Sequence, residues 1–479
     1  MIFNSISFAV FFPVITLVYF IIPKRMNNLW LLLISYFYYM AQGPEFSLLL
    51  LASTVITWLG GLALGKCRAS SFQAKLTCGI IVLLNLSALI FFKYYNFICE
   101  TIGTKPSLNV MLPIGISFYI FQVIGYMVDV YRGKVKPERS FLTYALFVSF
   151  FPQILAGPIG RAGELIPQFS ARRDFDYARV RHGLFRMLWG FFMKLVISSR
   201  LAIVTDLIYG NYTSCTGYQM VLGTFAYAFQ IYCDFASYST IAIGAAEVLG
   251  ITLRENFRQP FFARSCKELW RRWHISLNSW FTDYLYIPLG GSRVSKFRKY
   301  LNVLIVFSCS GLWHGAAWTY VLWGFLSGLF QILGEITAPI RNIVTKAFVF
   351  KSKIAESLHH AAQIIITFLL FCASLVFFKA TSIDAAFSIM NKIFCGFDIS
   401  SVLSTSPFAL GLGTLNMLIL LFSLLILLIH DIANEKTGDA AAFVLGKTTP
   451  VRWCVYYLLS LMILLSANIG AAQFIYFNF

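Results

Sequence analysis

Apolar runs of about 18 residues or more, the length a helix needs to cross a bilayer, recur along the whole chain between short polar blocks. Spans are predicted near 6–22, 28–42, 46–65, 76–97 and 109–131. The loops after the first, third and fifth are basic, with Lys24 and Arg25, then Lys66, Arg68 and Lys75, then Arg132, Lys134, Lys136 and Arg139. The intervening loops carry little positive charge. The positive-inside rule therefore puts the basic blocks in the cytosol and the N-terminus outside. The opening MIFNSISFAVFFPVITLVYFIIPKR has no basic region before its apolar core and no small-residue cleavage site. It is read as a first spanning helix, not as a signal peptide.

The piece FLTYALFVSFFPQILAGPIG at 141–160 breaks the alternation: it lies between two basic loops, and Pro152, Gly157 and Pro158 interrupt its helix. A re-entrant segment is expected there. Irregular backbone at that depth has to be surrounded by protein or by a water-filled cavity. Residues 183–209 are expected to cross outward and 217–250 to return. The run 301–336 is too long for one span and begins and ends beside basic residues, so it is read as two segments meeting around GLWHG. Spans near 361–379, 411–430 and 451–476 leave the C-terminus outside. The expectation is an all-α polytopic membrane protein forming one domain over 1–479. Its N-terminal spans lie in 1–140, a core with re-entrant segments in 141–336, and further spans in 337–479.

Composition agrees. The chain is 58% hydrophobic and only 12% charged, too little charge to cover a soluble surface. Its net charge of +18 sits in blocks between apolar runs, which membrane orientation explains without nucleic acid. The ten cysteines include no C-x-x-C pair and no cysteine–histidine cluster, so no metal centre is expected and the thiols read as apolar groups. Cys215 and Cys395 fall in predicted outer loops, where a disulfide would be permitted.

Three stretches carry candidate chemistry. In KELWRRWHISLNSWF, 267–281, a continuous helix would align Lys267, Arg271, His274 and Asn278 in one polar stripe. Trp270, Trp273, Leu277, Trp280 and Phe281 would form an adjoining apolar face, as in a helix lying at the membrane interface. In SGLWHGAAW, 310–318, His314 sits inside a long apolar run, where an ionisable residue is a functional-site hypothesis by default. Gly311 and Gly315 allow another backbone or a substrate to approach closely. A low-dielectric site disfavours the imidazolium, leaving a neutral ring suited to general-base work. In IYCDFASYSTIAIG, 231–244, Asp234 is an intramembrane carboxylate that needs a partner, for which either histidine would serve, and a purely structural role is equally open. His182, His359, His360 and His430 lie in basic loops or at a helix end and are expected to be solvated. There is no G-x-S-x-G elbow, P-loop or H-E-x-x-H motif, so serine, nucleotide and zinc hydrolysis lack support.

With these residues, the chain resembles the membrane-bound O-acyltransferase family, in its bacterial branch of alginate O-acetylation and teichoic-acid D-alanylation proteins. The resemblance covers nearly the whole length. It runs through PIGISFYIFQVIGYMVDVYRGK at 113–134, FFPQILAGPIGR at 150–161, YCDFASYSTIAIG at 232–244 and ENFRQPFF at 255–262. LWRRWHISLNSWFTDYLYIPLGGSR at 269–293, GLWHGAAWTYVLWG at 311–324 and FIYFNF at 474–479 complete it. The resemblance implies about 11 spanning helices, with re-entrant and interfacial helices, around a central tunnel. It makes His314 the catalytic histidine and His274 the second functional position.

The function this implies is transfer of a short acyl group, acetyl above all, from a cytosolic thioester to a hydroxyl on the extracytoplasmic side, for O-acetylation of a cell-surface polysaccharide. The location is a bacterial inner membrane. Acetyl-CoA is the expected donor, with Arg258, Arg264, Lys267, Arg271 and Arg272 receiving its phosphates. His314 acts as base. His274 or Asn278 would bond the oxyanion, and Trp313 and Asp234 would line the substrate site. A separate extracytoplasmic acetyltransferase partner is expected. The alternatives are D-alanyl transfer from a phosphopantetheine carrier protein to teichoic acid, a transporter or flippase, and a non-catalytic scaffold.

Overall fold

The computed structural model describes the chain except residues 1, 69–70, 109, 172, 342, 344–351, 399, 401–409, 467–473 and 476–479. Among the described residues every regular element is helical. Six helices among the described residues are long and apolar enough to cross a membrane: Pro44–Lys66, Phe72–Thr101, Tyr177–Gly210, Trp318–Ile336, Lys353–Lys379 and Gly413–Thr437. Ile6–Ile21, Ile116–Tyr131 and Thr449–Leu465 are shorter apolar helices. This is the all-α polytopic class expected from hydropathy. Local chemistry sets many helix starts: the hydroxyls of Ser5, Ser71, Ser140, Ser295, Ser352 and Ser382 each accept a first-turn N–H. Proline occupies the first turn of Pro44–Lys66, where its missing N–H costs nothing.

The chain folds as two compact units. One holds most of the residues up to Phe191 together with Ser237–Glu255; the other holds Phe192–Ala236 and most of Asn256–Ile475. In the first, helix Ile116–Tyr131 is buried along nearly its whole length. The 141–160 segment is a short helix, Phe141–Ser149, followed by turns through the prolines and glycines expected to break it. That irregular backbone is wrapped in protein, from Phe150 to Ala156 without a break. Ser35 Oγ accepts the Phe151 N–H at 3.1 Å, and Gln153 Nε2 donates to the Phe147 carbonyl at 3.0 Å. Gly115 adopts φ +81°, and a Cβ there would sit 2.6 Å from the Ile154 carbonyl oxygen. A side chain would push the turn off the helix.

His182 differs from expectation. Its Nδ1 lies 2.6 Å from Glu247 Oε1, and the pair is half-buried. In the same unit Arg254 grips Glu164 with two nitrogens and holds that carboxyl below the usual carboxylate range.

In the second unit, Lys296–His314 and Trp318–Ile336 form a hairpin whose turn is Gly315–Ala317, as the length of the 301–336 run requires. The helices touch through glycine. A Cβ on Gly311 would come within 2.1 Å of the Tyr320 carbonyl oxygen, and one on Gly324 within 2.2 Å of the Phe307 carbonyl oxygen. A Cβ on Gly315 would strike the Tyr320 ring. The close neighbours anticipated at Gly311 and Gly315 are thus the partner helix and a tyrosine ring.

Candidate active site

The stretch 267–281 is not one helix. Cys266–Arg272 and Ile275–Phe281 are separated by an extended Trp273 and by His274 at φ 44°, ψ 54°, in the left-handed region. The cause is tertiary. Strand-like bonds tie the break to 256–258: the Ile275 N–H donates to the Asn256 carbonyl at 3.0 Å, and the Arg258 N–H to the Arg272 carbonyl at 2.9 Å. Asn278 clamps the break with its amide nitrogen, which donates to the carbonyls of Trp270 and Trp273 at 2.8 and 2.5 Å. Both amide hydrogens are thereby used, so Asn278 has no donor left for an oxyanion. The apolar face lies inside protein and not in lipid, because the break turns Trp270, Trp273, Leu277, Trp280 and Phe281 inward, all buried.

The same break carries His274 out of the polar stripe and into the interior. Its Nδ1 lies 3.2 Å from Asn256 Oδ1. That oxygen also accepts the Ser276 N–H at 3.1 Å and hydroxyl at 2.9 Å. An oxygen already accepting a backbone N–H fixes the histidine tautomer: Nδ1 carries the proton and donates, leaving Nε2 as the acceptor of the neutral ring. His274 in this form accepts and cannot donate to an oxyanion. Asn256, fully buried, is the residue that holds the His274 ring, and sequence reasoning passed over it. Its signal was its place in the ENFRQPFF stretch.

His314 ends helix Lys296–His314 and is 3% exposed. Its ring centroid is 6.1 Å from that of His274. Aromatic rings enclose the pair: Trp313 is 5.0 Å from His314 and 5.8 Å from His274, Trp323 and Phe378 lie 5.1 and 5.7 Å from His314, and Phe235 lies 4.6 Å from His274. The structure therefore brings together His274, His314 and Trp313.

A cavity of about 390 Å³ lies alongside, lined among others by Lys267, Trp270, Arg271, Asn278, Phe307 and Ser310. Its lining stops one helical turn short of both histidines, at Ser310 before His314 and at Asn278 beyond His274. The ring of Trp270, in the cavity lining, stands 5.7 Å from that of Trp323, which itself packs 5.1 Å from His314. Lys267 and Arg271 are exposed at the cavity, with no acidic partner among the described residues. Lys299, also in the lining, is paired with Glu335, which raises its pKa.

The other expected phosphate-binding cations divide. Arg258 is exposed. Arg264 lies 3.3 Å from His360 Nε2. Arg272 is committed elsewhere: it forks onto Glu435 at 2.7 and 2.9 Å and also bonds Glu268, contacts that raise its pKa. It is an ion-pair residue, not a vacant phosphate receptor.

Asp234 is ion-paired with a residue that sequence reasoning missed. Lys194 Nζ lies 2.5 Å from Asp234 Oδ1, so the countercharge, for which either histidine would have served, comes from a lysine. The signal was a lone lysine inside the apolar run 183–209. Cys215 and Cys395 are both free thiols.

Residues 135–378 match the model of the membrane-bound O-acyltransferase family. The chain is similar to a probable alginate O-acetylase of Azotobacter vinelandii, 36% identical over 409 residues that cover 82% of this chain and 78% of the relative. It is similar to a peptidoglycan O-acetyltransferase of Helicobacter pylori, 33% identical over 82% of this chain and 79% of the relative. A teichoic acid D-alanyltransferase of Bacillus subtilis is 28% identical over 52% of this chain and 65% of the relative.

Proposed function

The chain belongs to the membrane-bound O-acyltransferase family, and from that premise we propose that it moves an acetyl group from cytosolic acetyl-CoA to a hydroxyl on the extracytoplasmic side, for O-acetylation of a cell-surface polysaccharide. The observation that carries this reading is the pair of buried imidazoles 6.1 Å apart, one helical turn from a cavity edged by Lys267 and Arg271. Acetyl is favoured over D-alanyl because the two O-acetylating relatives match 82% of the chain and the D-alanyltransferase 52%.

In this reading CoA phosphates rest on Lys267 and Arg271, and on Arg258 further out, while the thioester enters the cavity and passes Trp270 and Trp323. Neutral His314 takes the proton of the acceptor hydroxyl as its oxygen attacks the thioester carbonyl. Collapse of the tetrahedral adduct expels the CoA thiolate, which the proton on His314 neutralises. His274 contributes an acceptor at Nε2, held in that tautomer by Asn256. The acceptor hydroxyl in this reading is a serine of a separate extracytoplasmic acetyltransferase, which passes the acetyl group on to polymer.

The test is acetyl transfer by the purified protein in lipid nanodiscs. His314→Ala should lose about 10²–10⁴-fold in turnover while expressing normally, the range positioned base catalysis supplies. Transfer at the wild-type rate would remove the base assignment. Free CoA must accumulate in proportion to product; substrate movement without thioester consumption would mean a transporter. Consumption of a D-alanyl-charged carrier in place of acetyl-CoA would move the protein to teichoic acid.

A further inference from the structure

Three buried charges lie in the second unit that the proposed transfer does not use. Lys194 and Arg200 are 0% exposed and Asp234 is 1% exposed. Lys194 belongs to the π-helical stretch Phe192–Ser198, and Arg200 to helix Ser199–Gly210, which continues it. Charges within a spanning segment are costly, and well-packed apolar side chains hold helices together at least as well. These three therefore call for a reason beyond stability.

Their contacts converge on the last part of the chain. Asp234 takes Lys194 on Oδ1 at 2.5 Å and the Ser198 hydroxyl on the same oxygen at 3.0 Å. Its second oxygen accepts the Ile475 N–H at 2.7 Å. The Phe474 ring lies over the Lys194 ammonium, 4.2 Å from centroid to nitrogen. Arg200 donates to the Ser466 hydroxyl at 2.9 Å and to Asn416 Oδ1 at 3.3 Å. Ser466 is the residue that closes helix Thr449–Leu465. Two cations on one membrane segment thus reach residues late in the chain, Lys194 at Phe474 and Arg200 at Ser466, and Asp234 adds Ile475. A π-helical turn re-aims side chains relative to an α-helix and recurs at functional sites.

The same place adjoins the histidines. Asp234 is followed on its helix by Phe235, whose ring packs on His274. We propose that Lys194, Asp234 and Arg200 are positioning residues: Lys194 and Asp234 clamp Phe474 and Ile475 to the helix turn that backs His274, Arg200 clamps Ser466, and acyl transfer requires the clamp intact. The last clause rests on the transfer reading given above; the clamp itself does not.

The experiment pairs hydrogen exchange with kinetics on the full chain in nanodiscs. One variant, Lys194→Met with Asp234→Leu, removes both charges and leaves apolar side chains; a second is Arg200→Met. In the wild type the Ile475 amide should be protected. In the first variant it should exchange about tenfold faster or more, with protection of 296–314 unchanged. Acetyl transfer should fall about ten- to a hundredfold with the donor KM unchanged, the signature of a misplaced rather than an unbound group. Arg200→Met should raise exchange in peptides that contain Ser466. Unchanged exchange overturns the clamp, and faster exchange with wild-type turnover overturns its role in transfer. Should the double variant not fold, Asp234→Asn, which keeps shape but drops the charge, is read by the same criteria. Exchange is measured without donor, so it tests the clamp even if the wild-type chain proves not to transfer acetyl.

Discussion

His274 holds its ring in the interior by way of a backbone conformation that few side chains tolerate. With Gln259 it is one of two non-glycine residues at positive φ among those described. Such positions cost about 1–3 kcal/mol and persist where surrounding bonds over-determine them. Here Asn256 does so, through its carbonyl on Ile275 and its amide oxygen on His274 and Ser276. His274→Asn is therefore an informative substitution, since asparagine accepts left-handed φ better than most residues. It should express and melt like wild type yet lose about a hundredfold or more in acetyl transfer. Wild-type turnover would reduce the histidine to a turn residue. Asn256→Ala should cost stability as well, about 1–3 kcal/mol for each buried donor it strands, seen as a lowered melting temperature.

At the scale of elements, the contact between the hairpin helices depends on two hydrogens. Gly311 and Gly324 face each other across it, and the atoms a methyl would meet are backbone carbonyl oxygens, which cannot rotate away. Gly311→Ala should lower thermal stability by about 1–3 kcal/mol, as overpacking does, and should reduce turnover because His314 rides the same helix three residues on. A melting temperature and rate equal to wild type would show that the hairpin has slack. Hydropathy made these two helices and their meeting point legible, because a run of that length beside basic residues has to turn back. It did not reveal the break at Trp273 and His274. RRWHISLN contains neither glycine nor proline, and the bonds that stop the helix come from Asn256 and Arg258. For the same reason the polar stripe was half right: Lys267, Arg271 and Asn278 do share a cavity lining, while His274 turns inward to meet His314. The Lys194–Asp234 pair was out of reach because each residue reads as an isolated charge until the fold joins them.

For the molecule as a whole, the reaction direction depends on orientation, and orientation rests on where the basic loops lie. Arg254 through Lys299 is one of these basic stretches, and it contains the cavity cations Lys267 and Arg271. If that face is cytosolic, the cavity faces the compartment that holds acyl-CoA. Two native thiols report on this without altering the chain. Cys67 follows Lys66 in a basic loop and is half-buried, whereas Cys395 is exposed at the end of helix Ile383–Phe394, on the side assigned outside. A membrane-impermeant maleimide added to intact spheroplasts should label Cys395 and leave Cys67 unmodified until the membrane is permeabilised. The lysine and arginine excess sets this expectation, since each basic residue resists translocation. Labelling of Cys67 from outside, with Cys395 protected, would invert the topology. It would then place Lys267 and Arg271 where no thioester pool exists, and the donor would have to enter by another route.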